Sequence, residues 1–305
     1  MKAVVIGYGS IGARHARVLA DLGCATAVLS ARAVDHPTVF HGLAHALEGH
    51  TPEYVVIANA TAAHGDTLRE LIALGFGGRV LVEKPLFRYV ETVPSMPFAA
   101  VHIAYNLRFH PIIRRLAEML ACERVLSVQC YVGQYLPEWR PGTDYRQSYS
   151  ASAAQGGGVL RDLSHELDYL AHLLGNWRRV SALGGHFSML EGDSDDVFAL
   201  LMQTERCPIV QVQMNYLDRV GRRWLLVNTD AGTIAVDLVA GTLTKGSDVE
   251  QFAVARDDSY RAMHAAALAG EEGVLCTLSE GMETMRLIAA AEQSSNTGTW
   301  SEARP

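Results

Sequence analysis

The 305-residue sequence has little that would tie it to a membrane, a nucleic acid or a metal. No apolar run approaches the roughly 20 residues of a membrane span. The five cysteines (Cys24, Cys122, Cys130, Cys207, Cys276) form no CxxC pair and are odd in number, which argues against a disulfide framework and for reduced thiols. Excess positive charge is missing too. A net charge of -7 argues against a polyanionic partner, although a few local arginines can still hold a small anion. Twelve histidines are scattered with no HExxH and no Cys/His cluster, so no metal is expected. Met1-Lys2 leads directly into an apolar strand without a cleavage signal, and a cytoplasmic protein is expected. Internal repeats and low-complexity tracts are absent as well.

What remains is an ordinary globular composition, long enough for two domains. Over residues 1–101, apolar strands at Lys2–Gly7, Ala25–Leu29, Tyr54–Ala58 and Arg79–Val82 alternate with helical stretches at Ile11–Leu22 and His64–Leu74. That rhythm predicts a parallel sheet covered on both faces. Over 102–305 it changes. A helix at Pro111–Leu120 and a strand at Val125–Val132 lead to a loop rich in Pro, Gly and aromatics, Tyr135–Ser152. Leu160, Leu163, Leu167, Leu170 and Leu174 repeat at helical spacing and predict one helix over 158–174. Strands then run from Arg179 to about Val254, turning at Asp230–Gly232 and Ala240–Gly241. Helices at Met263–Leu268 and Glu280–Ser294 close the chain. The strand Val197–Met202 is apolar on both faces, which fits either helix and loop cover or a second subunit. The expected fold class is α/β: an N-terminal Rossmann dinucleotide-binding domain, then an α+β domain with a largely antiparallel open sheet.

Gly7-Tyr8-Gly9-Ser10-Ile11-Gly12 fits GxGxxG between a strand and a helix, where the pattern is informative. The first glycine permits the turn and the second admits a pyrophosphate. The third lets helix and strand pack closely, and the helix N-terminus favours the negative charge. At the end of the second strand, where a carboxylate would grip the ribose of NAD, stand Ser30 and, two residues on, Arg32. A hydroxyl and a guanidinium suit a 2′-phosphate, so NADP is expected, with NAD the alternative. Lys84, in Glu83-Lys84-Pro85, follows the fourth strand at the ligand-binding edge of such sheets, where its amine could exchange a proton with a substrate hydroxyl. At about 100° per residue, Asp162, His165 and Tyr169 fall within roughly 60° of one another on the predicted helix.

These pieces together resemble the Gfo/Idh/MocA family of oxidoreductases. The matching stretches are Gly7 to His15, Val56 to Thr61 with His64, Glu83-Lys84-Pro85, Tyr105 to Pro111, Gly156-Gly157-Gly158 through Asp162 and His165, and Ala289 to Ser294. They follow the family's order over nearly the whole chain. The resemblance implies hydride transfer between nicotinamide and a carbinol carbon of a sugar, sugar nucleotide or cyclitol. Lys84 would exchange the proton beside Asp162 and His165. It also implies that Asn59, Thr61, His64 and Glu83 line the cofactor, with Trp139 and Arg140 near its nicotinamide end. The loop Trp139–Arg146, including Tyr145, would border a substrate pocket, with Asn106, Arg108 and Tyr169 also facing substrate. Many family members separate the Asp and His by four positions, whereas Asp162 and His165 differ by three, so Glu166 stays a rival for the role. Two other functions fit the motifs: cofactor-assisted glycoside cleavage without net redox, and a non-catalytic dinucleotide sensor. A homodimer or homotetramer through the C-terminal sheet is expected.

Overall fold

The computed structural model describes residues 1–92, 95–140 and 142–303. Along the chain come β1 (Lys2–Ile6), α1 (Ser10–Asp21), β2 (Ala25–Leu29), β3 (Val39–Phe40), α2 (Leu43–His50), β4 (Tyr54–Ile57), α3 (His64–Ala73), β5 (Arg79–Val82) and β6 (Ala100–Ile103). Next are α4 (Pro111–Leu120), β7 (Val125–Gly133), α5 (Val159–Asp162), α6 (His165–Leu174), β8 (Trp177–Gly185), β9 (Val197–Thr204), β10 (Val210–Asn215) and β11 (Arg222–Thr229). The chain ends with β12 (Gly232–Asp237), β13 (Thr242–Lys245), β14 (Asp248–Gln251), α7 (Asp258–Ala269), β15 (Cys276–Thr277), α8 (Leu278–Thr297) and β16 (Ser301–Glu302). Two compact units result: Met1–Phe109 with Ala255–Met282, and His110–Val254 with Glu283–Pro305.

In the first unit seven strands lie in the order β15-β6-β5-β4-β1-β2-β3. All pairs are parallel except β15 with β6. β1, β4 and β5 are buried almost throughout, as strands covered on both faces must be. The strand order reverses at β1, where carboxyl ends diverge and leave a crevice. α7 belongs to this unit and adds Met263, Ala266 and Ala267 to the core around Val5, Leu19 and Leu81. β3, α2 and β6 are additions to the elements predicted from sequence. β3 has two residues, and three of the four residues of β6 are only half-buried, so neither carries a strong pattern.

The second unit is a nine-stranded sheet, β14-β13-β12-β11-β7-β10-β9-β8-β16, antiparallel except for β10 with β7. The two predicted hairpins join β11 to β12 and β12 to β13. Val210, Val212 and Met214 point into the core while Gln211 and Gln213 are exposed. On β9, Phe198, Leu200 and Met202 are buried and Leu201 stays exposed.

The single helix expected over 158–174 is two. Leu163 turns to φ −100°, ψ 23°, and the ladder tightens into three-residue returns, with Ser164 N–H on Arg161 O and Glu166 N–H on Leu163 O. The five leucines are buried on both sides of the break. Their period marks the inward face and says nothing of continuity.

Candidate active site

The cofactor end is built from the first unit's glycine turn. Gly7 adopts φ +92°, and a Cβ there would come within 2.7 Å of the backbone of Ala58 and Asn59. A Cβ on Gly12 would sit 2.0 Å from the Gly7 carbonyl oxygen. These two glycines let the turn and α1 close on β1 and β4. Gly9 differs. It caps α1, yet a Cβ there would meet nothing within 4 Å, no side chain caps the helix and no acidic residue lies in its first turn. Ser10 and Ile11 thus open a helix whose N-terminus no side chain caps, the arrangement that accepts a phosphate. The residues present therefore fit a dinucleotide pyrophosphate.

Around this turn the strand register aligns the remaining groups. Ala58 N–H donates to Ile6 O and Glu83 N–H to Ile57 O, each at 2.8 Å, so Gly7, Asn59 and Lys84 emerge from neighbouring strands at one carboxyl edge. Asn59 donates from Nδ2 to Thr67 Oγ1 at 2.8 Å, and its Oδ1 is buried with no partner among the described residues. Thr61 opens a short 3-10 turn. His64 is buried between the Leu86 carbonyl at 3.1 Å and the Asn59 carbonyl at 3.3 Å, and burial pushes its pKa down. It braces the edge from within. Ser30 is also engaged locally: its hydroxyl donates to Arg32 O at 2.9 Å and accepts from Arg32 N–H at 3.1 Å. That leaves the Arg32 side chain exposed just beyond β2.

Lys84 is half-buried and joined to Pro85 by a cis peptide. Glu83 beside it is buried, accepting from His15 Nε2 at 2.8 Å and from Lys84 N–H at 3.0 Å. Burial alone would push the Glu83 carboxyl up, but the His15 bond and the nearby Lys84 ammonium outweigh it and hold it below the usual range. Asn106 and Arg108 are buried side chains of the same unit. Asn106 donates to Ser259 Oγ at 2.7 Å, and Arg108, 1% exposed, meets Glu280 Oε1 at 3.0 Å.

In the second unit Gly157 and Gly158 are closed in by protein. A Cβ on Gly157 would lie 2.1 Å from Tyr149 O, and one on Gly158 (φ +118°) 2.1 Å from Asp195 Oδ1. Asp195 accepts from Leu160 N–H at 3.0 Å, and burial raises its pKa to about 6. Asp162, at the end of α5, is buried and accepts from Tyr216 at 2.7 Å, while its charge raises the pKa of Tyr149. His165 opens α6 and is half-buried. Glu166 is fully buried 2.7 Å from Arg223 Nε, in an ion pair whose arginine side chain is a quarter exposed. Tyr169 is fully buried too, its hydroxyl 3.2 Å from Cys130 Sγ and 3.4 Å from Glu166 Oε1. The break between α5 and α6 places Asp162 at the end of one helix and His165 and Tyr169 on the next.

The aromatic loop is half open. Trp139 donates from its ring to Gln134 O at 3.2 Å and packs edge-on against Tyr216. Arg140 is exposed and lies 5.6 Å from the Tyr149 ring centroid. Tyr145 accepts from Glu191 N–H at 3.0 Å. Trp139, Arg140 and Tyr145 line a small cavity with Ser148 and Ser150. Pro141 lies outside the described residues.

Two family models match the chain. One, described as an oxidoreductase family with an NAD-binding Rossmann fold, spans residues 1–101, and the other, the GFO/IDH/MocA C-terminal domain, spans residues 113–235. Solved structures resemble it over full length. GenD2 from gentamicin A biosynthesis, in complex with NAD, is 22% identical with a TM-score of 0.81, over 100% of this chain and 97% of that one. Levoglucosan dehydrogenase in complex with NADH is 14% identical, with a TM-score of 0.84 over 100% and 99%. An oxidoreductase from Agrobacterium radiobacter, in complex with NAD+, L-tartaric acid and magnesium, is 16% identical, with a TM-score of 0.78 over 99% and 98%. At such identities the likeness is one of fold. No curated protein sequence matches.

Proposed function

The chain belongs to the Gfo/Idh/MocA oxidoreductase family, and on that premise we propose that it interconverts a hydroxyl and a ketone on a sugar, sugar nucleotide or cyclitol. The observation that carries this reading is the shared carboxyl edge. The uncapped helix N-terminus at Gly9 and the residues Asn59 and Lys84 all follow the ends of adjacent parallel strands. NADP(H), or NAD(H), supplies or accepts hydride when bound. The first turn of α1 holds its pyrophosphate, and Asn59 and Thr61 border it. Lys84 gives a proton to the substrate oxygen during reduction and takes it back during oxidation. Within the second unit, Asp162 and His165 are polar groups suited to substrate hydroxyls, and Trp139, Arg140 and Tyr145 offer an aromatic and cationic wall. Sugar-type chemistry is favoured by the likeness in fold to a dehydrogenase of levoglucosan.

The test is a screen of keto-sugars, polyols and sugar nucleotides by cofactor absorbance, repeated with Lys84→Ala. Loss of at least about a hundredfold in kcat with cofactor affinity kept is expected, and unchanged turnover removes Lys84 from the chemistry. The choice of NADP rests on Arg32 and on the absence of a carboxylate at the end of β2. Calorimetry on Arg32→Ala should show NADPH affinity falling more than NADH affinity. An equal loss for both removes the NADP preference.

The same reading sets a second copy of the chain on the outer face of the nine-stranded sheet. That face holds a shallow concavity of about 460 Å³ containing Leu201, Trp224 and Leu183, the last 74% exposed. The mass in solution decides it, and a monomer at micromolar concentration would refute it. The reduced cysteines, none of them in a disulfide, suit the cytoplasm.

A further inference from the structure

Four buried polar groups of the first unit form one hydrogen-bonded chain. His15 on α1 sets Nε2 2.8 Å from Glu83 Oε1 and Nδ1 2.7 Å from His264 Nε2 on α7. His264 Nδ1 lies 3.1 Å from the Tyr54 hydroxyl on β4. All four side chains are buried, and the second Glu83 oxygen receives the Lys84 N–H. Tyr260 packs edge-on against His15 with the Arg14 guanidinium over its ring, and His64 carries a pKa lowered by burial in the same edge.

Counting hydrogens gives the chain a direction. A carboxylate only accepts, so His15 donates from Nε2. Burial pushes the His264 imidazole well below its usual range and the Tyr54 phenol well above, which leaves both neutral. Every hydrogen then finds an acceptor in one arrangement: Tyr54 O–H to His264 Nδ1, His264 Nε2–H to His15 Nδ1, and His15 Nε2–H to Glu83. The opposite direction would leave the phenol hydrogen without an acceptor among the described residues. Tyr54 is 1% exposed, so the chain has no outlet to water and cannot act as a proton exit. Its fixed end is the carboxylate at the root of Lys84.

We propose that His264 is a positioning residue for Lys84, acting through His15 to hold the Glu83 carboxylate in place. This rests on the reading of Lys84 as the proton-transfer residue and extends it to a histidine 180 positions further along the sequence. Glu83 accepts the Lys84 N–H and so fixes the backbone from which the amine is presented, with its carboxylate charge beside the ammonium. A clasp that merely fastened α7 to α1 would leave the lysine's titration unchanged.

The chain has three lysines, Lys2, Lys84 and Lys245, so ¹³C reductive methylation gives three lysine signals to follow with pH. In His264→Phe the Lys84 midpoint should fall by about half a pH unit, with Lys2 and Lys245 unmoved. His264→Gln should restore it, because an amide can both donate to His15 and accept from Tyr54. Tyr54→Phe, which removes only the far hydroxyl, should shift Lys84 the same way by less. An unmoved Lys84 signal in folded His264→Phe, or in Tyr54→Phe should the former not fold, overturns the proposal. So does a Gln variant that behaves like the Phe variant. The readout needs no turnover. Loss of the catalytic reading would instead show as full activity in Lys84→Ala, with the lysine titration still responding to His264.

Discussion

Both units carry a glycine-rich turn that runs into a helix, and the two turns use glycine for opposite ends. In Gly7–Gly12 the first and last glycines remove collisions with the backbone of Ala58, Asn59 and Gly7, and a side chain at Gly9, which caps the helix, would meet only open space. At Gly156-Gly157-Gly158 the room made by the missing side chains is already taken. Tyr149 O fills the position behind Gly157 and the Asp195 carboxylate that behind Gly158, the carboxylate accepting from Leu160 N–H while the Asp195 backbone carbonyl accepts from Val159 N–H. One turn leaves open space beside its capping glycine, whereas the other is plugged by an acidic side chain of the protein's own. Composition alone does not separate them. The filling of the space behind each glycine does.

The plug should have an energetic signature that the open turn lacks. Asp195 is pushed to about 6 chiefly by burial, so its folded-state pKa lies above its unfolded value. A group raised in this way contributes stability at low pH that is lost as pH climbs through the folded pKa. Unfolding free energy should therefore fall between about pH 4 and pH 7, by up to roughly 3 kcal/mol from this group. Asp195→Asn keeps an acceptor for Leu160 N–H and cannot ionise, so it should flatten that slope and be the more stable protein at pH 8. Urea unfolding at several pH values measures both. A slope that survives the substitution would mean that Asp195 ionises freely and that the two turns are less different than their geometry says.

Which parts of this contrast are readable beforehand follows from what each signal encodes. The Gly7–Gly12 spacing carries its local geometry with it, since turn, helix and strand are adjacent in sequence. The alternation in β10 and the hairpin turns are equally local, and the structure has them where the pattern puts them. The leucine period found the buried face of residues 158–174 but missed the break at Leu163, because both halves bury the same stripe. Asp195 went unnoticed since nothing near it in sequence points to Gly158. Glu166 pairs with Arg223 on a distant strand, a contact that no local pattern announces. His15 was visible only as part of a motif, and its partner His264 lies 249 positions away. Long-range pairing of polar groups leaves no periodic trace, which is why this part of the site emerges only from the fold.

The smaller and sharper way to break the comparison is Gly9→Ala. The backbone there, at φ −83° and ψ −167°, suits any residue, and the added methyl meets nothing in the protein. Stability should hardly change, with Tm moving by about one degree or less. The methyl would instead occupy the approach to the α1 N–H groups. A bound pyrophosphate needs those groups bare, so NADPH and NADH affinity should both drop about tenfold, or about 1.4 kcal/mol. Calorimetry beside thermal melting separates the two effects. If affinity holds while the melt is unchanged, the dinucleotide does not lie against Gly9, and the space behind it is only a gap in the surface. If the melt falls instead, the position is packed and the two turns are filled alike.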